Sequence, residues 1–215
     1  MDVYEEGALR LVKMGPLGPL ANNSYLIQDR ESGDTLLIDA PADGERILEP
    51  EALGGGRVLR IAVTHRHPDH WASIDTLIAA TGAPVACHEA DREPYATKVD
   101  AAITDGELIE VGSIVVQAIH TPGHTPGSIC FLAGSHLISG DTLFPGGPGR
   151  TNRAEDLQEE IRSITSRLFE LPDETTVHPG HGDDGNIGES KREYAGVAAR
   201  EHPADLAGDV TWADS

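Results

Sequence analysis

The sequence predicts an α/β fold in which two β-sheets pack face to face with helices outside. Three observations predict it. Short apolar strands arrive in two batches along the chain, helical patterns fall between and after those batches, and no repeat or low-complexity linker interrupts them. The length, 215 residues, suits one domain of ordinary size with a real core. Apolar residues make up 39% of the chain and aromatics 4%, so that core is built mostly from Leu, Ile, Val and Ala.

In order, Ala8–Lys13, Asn23–Gln28 and Thr35–Ile38 read as strands, with the Gly15–Gly18 and Glu31–Asp34 stretches as turns. Val58–Val63 is apolar except for Arg60 and reads as a buried strand. Trp71, Ile74, Leu77 and Ile78 recur at helical spacing with Gly82 behind them, so Trp71–Thr81 is an amphipathic helix. Pro84–Cys87, Leu108–Val111, Ile114–Ile119, Ser128–Leu132 and His136–Ser139 are further strands. Leu157, Ile161, Ile164 and Leu168 mark a helix over Ala154–Glu170, whose acidic start suits the positive end of a helix dipole. Thr175–Val177 is a last core strand, Glu189–Arg200 a C-terminal helix, and Pro203–Ser215 a polar tail onto which Trp212 can fold back. Periodicity alone leaves the strand order open.

Lys and Arg total 16 against 36 Asp and Glu, a formal charge of −20. Such a surface repels phosphate backbones, which argues against a nucleic-acid partner. No apolar run is long enough to span a bilayer, and the start MDVYEEGALRLVK has no signal-peptide core, so a cytoplasmic protein with no membrane partner is expected. Cys87 and Cys130 are far apart, each in an apolar run, and read as reduced, buried thiols.

The chemistry is concentrated in Thr64-His65-Arg66-His67-Pro68-Asp69-His70. Two imidazoles, a carboxylate and a third imidazole fall in six residues between a buried strand and a helix, and such donors suit zinc, iron or manganese. In an extended start, His65 and His67 point the same way. A metal site needs at least three protein ligands per ion, so more should follow later strands. They do: His124 lies in TPGHTPG after the strand ending at Ile119, Asp141 in Gly140-Asp141-Thr142 after His136–Ser139, and His181 in HPGH after Val177. Gly and Pro fix these loops and let backbone approach closely.

HxHxDH, a His in TPGHTPG, GD after a strand, then HPGH resembles the metallo-β-lactamase superfamily, and most of all its glyoxalase II-like hydrolases. The likeness runs from about Asn22 through His181. It implies an αββα sandwich of two mixed sheets with two divalent metals at one edge, zinc foremost, iron or manganese otherwise. It assigns one metal to His65, His67 and His124, the second to Asp69, His70 and His181, and makes Asp141 the bridge. Such pairs sit about 3.5–4 Å apart and share a water or hydroxide that attacks a carbonyl. Asp69 then orients the nucleophile or shuttles its proton. A thioester's thiolate leaves readily and needs no dedicated acid.

Other residues have plainer roles beside these. Asp39 ends a strand and either caps a turn or holds the HxHxDH loop, with Thr64 bonding the same loop. His120 and His178 read as hydrogen-bonded loop histidines, and His88, His136 and His202 as ordinary polar positions. Arg150, in PGGPGRT after Asp141, is a candidate grip for an anionic substrate or simply pairs with an acidic neighbour. Met14 and Leu17 flank a hairpin that can offer apolar contact to substrate.

Glyoxalase II itself carries a helical glutathione-binding domain after the last ligand. Residues 182–215 leave little room for one here, so a single domain over 1–215 is expected, acting on a small thioester or related ester. Alternatives are a mononuclear-iron persulfide dioxygenase using His65, His124 and Asp141, which the sequence resembles around Gly149-Arg150-Thr151, then a lactonase, and a non-catalytic metal-binding scaffold. The sequence leaves the oligomeric state open.

Overall fold

The structure, a computed structural model, describes residues 1–200 and 202–212. The tail expected to run to Ser215 is therefore described as far as Trp212, which is buried. Seven strands form the first sheet in sequence order: β1 (Asp2–Glu6), β2 (Leu9–Leu17), β3 (Asn22–Asp29), β4 (Asp34–Ile38), β5 (Arg57–Ala62), β6 (Val85–Cys87) and β7 (Ala101–Ala102). The first four pair antiparallel; β4 through β7 pair parallel, which obliges the chain to cross over through α1 (Pro50–Leu53), α2 (Ile74–Thr81) and the 3-10 turns at Glu89–Asp91 and Glu93–Lys98.

The second sheet is built from β8 (Leu108–Val111), β9 (Ile114–His120), β10 (Ile129–Ala133) and β11 (His136–Gly140). A small ribbon, β12 (Leu143–Phe144) and β13 (Gly147–Pro148), follows. After α3 (Ala154–Ser163) comes β14 (Thr176–Pro179), parallel to β11, then β15 (Gly185–Asn186) and α4 (Ile187–Ala198). The spatial order is β15-β14-β11-β10-β9-β8.

Period-two patterning divides the apolar residues between layers. Leu11, Tyr25, Ile27, Leu36, Ile38 and Ala62 face Ile109, Val116, Ala118, Ile129, Phe131 and Ile138 of the other sheet. Their neighbours Val12, Leu26, Leu37 and Ile61 turn outward onto Ile74 and Leu77 of α2. Cys130, Leu137 and Val177 turn outward on the other side, onto Ile164, Leu168, Ile187, Val197 and Trp212. Three apolar layers between four structural layers make the expected αββα sandwich. Both cysteines are buried free thiols.

Local differences from the sequence reading have local causes. The strand expected over Ala8–Lys13 continues to Leu17 through an irregular register after Met14, and the turn falls at Gly18–Ala21. Polar β1 forms because β2 templates it as an edge hairpin partner. The helix expected from Trp71 begins at Ile74, because His70 O accepts from Ala40 N (2.7 Å) and Ala40 O from Ser73 N (2.9 Å). Those bonds tie the chain to the end of β4 instead of to a helical ladder. The helix expected over Ala154–Glu170 widens into a π turn over Ile164–Leu168. There the hydroxyls of Thr165 and Ser166 donate to the carbonyls of Ile161 and Arg162, competing for the helical acceptors.

Phe131 is fully buried between the sheets. Phe131→Ala should cost about 3–5 kcal/mol of stability, read as a lower urea midpoint at unchanged m-value.

Candidate metal centre

Strand ends of both sheets deliver the polar loops to one edge of the sandwich. Asp39 follows β4, His65–His70 follow β5, His124 follows β9, Asp141 follows β11 and His181 follows β14. Backbone bonds stitch the loops together: Ile129 N to Thr64 O (3.0 Å), Gly180 N to Gly140 O (2.8 Å) and Asn23 N to Gly180 O (2.7 Å). A Cβ on Gly180 would lie 2.2 Å from Asp141 Oδ1 and 2.6 Å from His70 Cε1, so only glycine lets that loop pass so near the site.

The first cluster is His65, His67 and His124. His65 Nε2 lies 3.0 Å from His67 Nδ1, His124 Nε2 lies 3.2 Å from His65 Nε2, and 2.9 Å separates His124 Nε2 from His67 Nδ1. Ligand nitrogens around one tetrahedral zinc stand about 3.3 Å apart, so this spacing needs little change to hold an ion. The second cluster is Asp69, His70 and His181. Asp69 Oδ2 is 3.4 Å from His70 Nε2 and 3.3 Å from His181 Nε2. Asp141 lies between the two: Oδ1 is 3.4 Å from His70 Nε2, while Oδ2 is 3.6 Å from His181 Nε2 and 3.8 Å from His124 Nε2.

What aims these atoms is the hydrogen bonding behind them. His124 Nδ1–H donates to Arg150 O and His181 Nδ1–H to Leu20 O, both at 2.9 Å. His70 Nδ1–H donates to Asp39 Oδ2 at 2.8 Å. Thr64 Oγ1 spends its proton on the same carboxylate oxygen, so it accepts from His65 Nδ1 at 3.0 Å. Each outer bond places the ring proton on Nδ1 and leaves a bare lone pair on Nε2 facing inward. Asp39 thus serves two candidate ligands and also accepts from Thr64 N, from a left-handed backbone position (φ 62°). The two roles weighed for it and for Thr64 meet in one geometry.

The clustered lone pairs fit a cation and little else. Asp141 Oδ1 is buried without a hydrogen-bond donor among the described residues. Burial and the neighbouring imidazoles hold His65 well below its ordinary value, and burial lowers His124 to about 4, so both are neutral, ligand-competent rings near pH 7. At His70 burial opposes charge, but the carboxylates of Asp141 and Asp39 outweigh it, so the inward Nε2 lone pair attracts positive charge, a proton or a cation. Burial would likewise raise Asp141, yet the imidazoles around it, His70 foremost, hold it below the usual carboxylate range. The second cluster therefore draws positive charge into itself.

Two buried carboxylates that the sequence reading passed over clamp the loops. Asp91 accepts from Arg66 N (3.0 Å), Thr125 Oγ1 (2.5 Å) and Gly127 N (2.9 Å), joining the HxHxDH and TPGHTPG loops. Glu160, fully buried on α3, accepts from Gly149 N at 3.1 Å, beside the segment whose carbonyl holds His124. Burial pushes its carboxyl up to about 9. Asn22 was missed as well; its amide Nδ2 lies 2.7 Å from Asp69 Oδ2. No sequence signal marks these three, since each works through loops remote in the chain.

All seven candidate ligands come together. Met14 and Leu17 do not: both are buried in the outer core of the first sheet, because β2 runs on past the expected turn, and the exposed apolar side chain at this rim is Leu20. The side chain of Arg150 extends outward, 3.9 Å from Asp209, while its carbonyl faces the site. His120 bonds Pro126 O and stacks on His88. His136, expected as an ordinary polar position, is buried against His178 at 2.9 Å, in a cluster with Tyr4 and Asp184.

The sequence profile of the metallo-β-lactamase superfamily matches residues 17–181. A hydroxyacylglutathione hydrolase from Polaromonas sp. is 37% identical over 164 residues, covering 74% of this chain and 62% of that protein. An uncharacterized protein from Aquifex aeolicus is 33% identical over 200 residues, covering 84% and 94%. Among solved structures, ETHE1 from Myxococcus xanthus superposes with a TM-score of 0.76 at 30% identity, over 88% of this chain and 86% of that one. TTHA1623 in a di-iron-bound form gives a TM-score of 0.72 at 31% identity, over 84% and 97%.

Two experiments address the site. His65→Ala and Asp141→Ala should each lose metal-dependent turnover by at least about a hundredfold while far-UV circular dichroism stays unchanged; full activity in either contradicts the assignment. Glu160 ionises in the unfolded chain above its ordinary value of 4.5 but in the folded chain only near 9. It therefore removes stability as pH rises between those values. Glu160→Gln should be more stable than wild type by on the order of 2 kcal/mol at pH 8, and the gain should vanish near pH 5 in urea melts.

Proposed function

We infer the function from the family: this chain belongs to the metallo-β-lactamase superfamily, and we propose that it is a metal-dependent hydrolase of small thioesters or related esters. His65, His67 and His124 would hold one divalent cation, Asp69, His70 and His181 a second, with Asp141 between them. Zinc suits this nitrogen-rich donor set, and iron or manganese would also be accepted. The observation that carries the reading is the aiming of the Nε2 lone pairs by Arg150 O, Leu20 O, Thr64 and Asp39.

Cations bound there would acidify water and polarise a carbonyl oxygen. The chain's own groups do the rest. Asp69, half-exposed at the edge of the second cluster, can orient the attacking water and take its proton. Asp39, Arg150 O and Leu20 O keep the imidazoles from turning as charge shifts. A groove of about 360 Å³ beside His67 and His124, lined by Arg66, Gly123, Pro126 and Asn152, has room for a small acyl group. A thiolate leaves without help from a general acid, so a thioester asks less of the site than an amide. The chain spans 62% of the hydroxyacylglutathione hydrolase it matches, so glutathione is one candidate carrier among small thiols.

Persulfide dioxygenase is the second reading. It is favoured by the Gly149-Arg150-Thr151 segment, whose backbone bonds His124 directly. A single panel separates the readings. With metal content measured on the same preparation, thioesters such as S-lactoylglutathione should be hydrolysed without oxygen uptake. If thioesters are untouched and glutathione persulfide consumes oxygen over one iron per chain, the hydrolase assignment is wrong; ring opening of lactones alone makes it a lactonase.

A further inference from the structure

We propose that the Asn22 side chain is an internal competitor for the second cation, occupying with its amide N–H₂ the lone pairs that the ion needs. The proposal rests on the metal reading above and concerns how tightly one of the two ions is held.

Asn22 opens β3, is 2% exposed and pairs through its backbone with His181. Its Nδ2 lies 2.7 Å from Asp69 Oδ2, 3.3 Å from His181 Nε2 and 3.4 Å from His70 Nε2, the three donor atoms of the second cluster. All three are acceptors. Asp69 is a carboxylate, and its Oδ2 takes the shortest of the three contacts. His70 and His181 carry their ring protons on Nδ1, facing Asp39 and Leu20 O. Three acceptors facing one amide oblige the amide to present its nitrogen, so the orientation follows from its neighbours.

An amide N–H₂ within 3.4 Å of all three donor atoms crowds the position that a cation shared by them would take. Binding an ion there therefore requires moving a buried, hydrogen-bonded amide aside. In the first cluster the only internal donor available is His67, whose tautomer no outer hydrogen bond fixes among the described residues; that half-buried ring can shift its proton to the other nitrogen without leaving its place. The cost thus falls on one cluster only. The two carboxylates that draw cations into the second cluster are opposed by one neutral side chain, which makes its occupancy adjustable.

The test counts zinc bound per full-length chain across a series of buffered free zinc concentrations, for wild type, Asn22→Ala and Asn22→Asp, with folding checked by far-UV circular dichroism. Asn22→Ala should tighten one of two binding steps by about tenfold or more and leave the other within twofold. Asn22→Asp, nearly the same shape but unable to donate, should tighten that step as well. Loosening of a step in Asn22→Ala would mean the amide turns its oxygen to the ion as a ligand, and overturns the proposal; so do two unmoved steps. Zinc bound by none of the three proteins would instead remove the metal reading itself.

Discussion

Four imidazoles in this protein have their outward nitrogens committed to protein oxygens, and the rest of the site depends on that. A neutral imidazole offers one donor and one acceptor, so fixing the proton at Nδ1 fixes a lone pair at Nε2. Arg150 O, Leu20 O, Thr64 Oγ1 and Asp39 do this for His124, His181, His65 and His70. The resulting crowd of lone pairs, with Asp141 Oδ1 among them lacking a donor, is unfavourable until positive charge enters it. Pre-arranged acceptors of this kind lower the reorganisation needed to hold an ion.

The sandwich makes that arrangement affordable. Loops carrying so many lone pairs could not hold one another in place, so rigid strands do it. Each loop leaves a buried strand of one sheet or the other, and the inter-sheet core, with Tyr25, Ile27, Phe131 and Ile138, sets the distance between them. Tyr25 also joins the two directly, donating from its hydroxyl to Pro179 O beside the last candidate ligand. A site built across two sheets is sensitive to their spacing, a length fixed by the packing of apolar side chains rather than by any polar contact.

Around the centre lie buried polar side chains, most of them held by hydrogen bonds. Asp91 ties two ligand-bearing loops through three acceptor contacts. Lys13 donates to Gly182 O and Asp184, bracing the stretch after His181. Glu160 differs, since one of its oxygens finds no donor among the described residues and its carboxyl stays neutral well above the usual range. Burial of that group trades stability at higher pH for a rigid Gly149–Arg150 segment, and that segment is what orients His124.

Local chemistry was legible in the chain itself. Period-two apolar runs identified most strands, helical spacing identified the cores of α2 and α3, and the ligand residues stood out because each follows a strand and sits among Gly and Pro. These signals survive in sequence because they concern neighbours one to four residues apart. Everything that depends on distant loops meeting was decided by the tertiary structure. That includes Met14 and Leu17 turning into the core, Trp71 falling outside its helix, and Asn22, Asp91 and Glu160 reaching loops far along the chain. The physical reason is that a buried polar side chain is specified by whichever donor or acceptor lies opposite it, and that partner is chosen by sheet packing, not by sequence spacing.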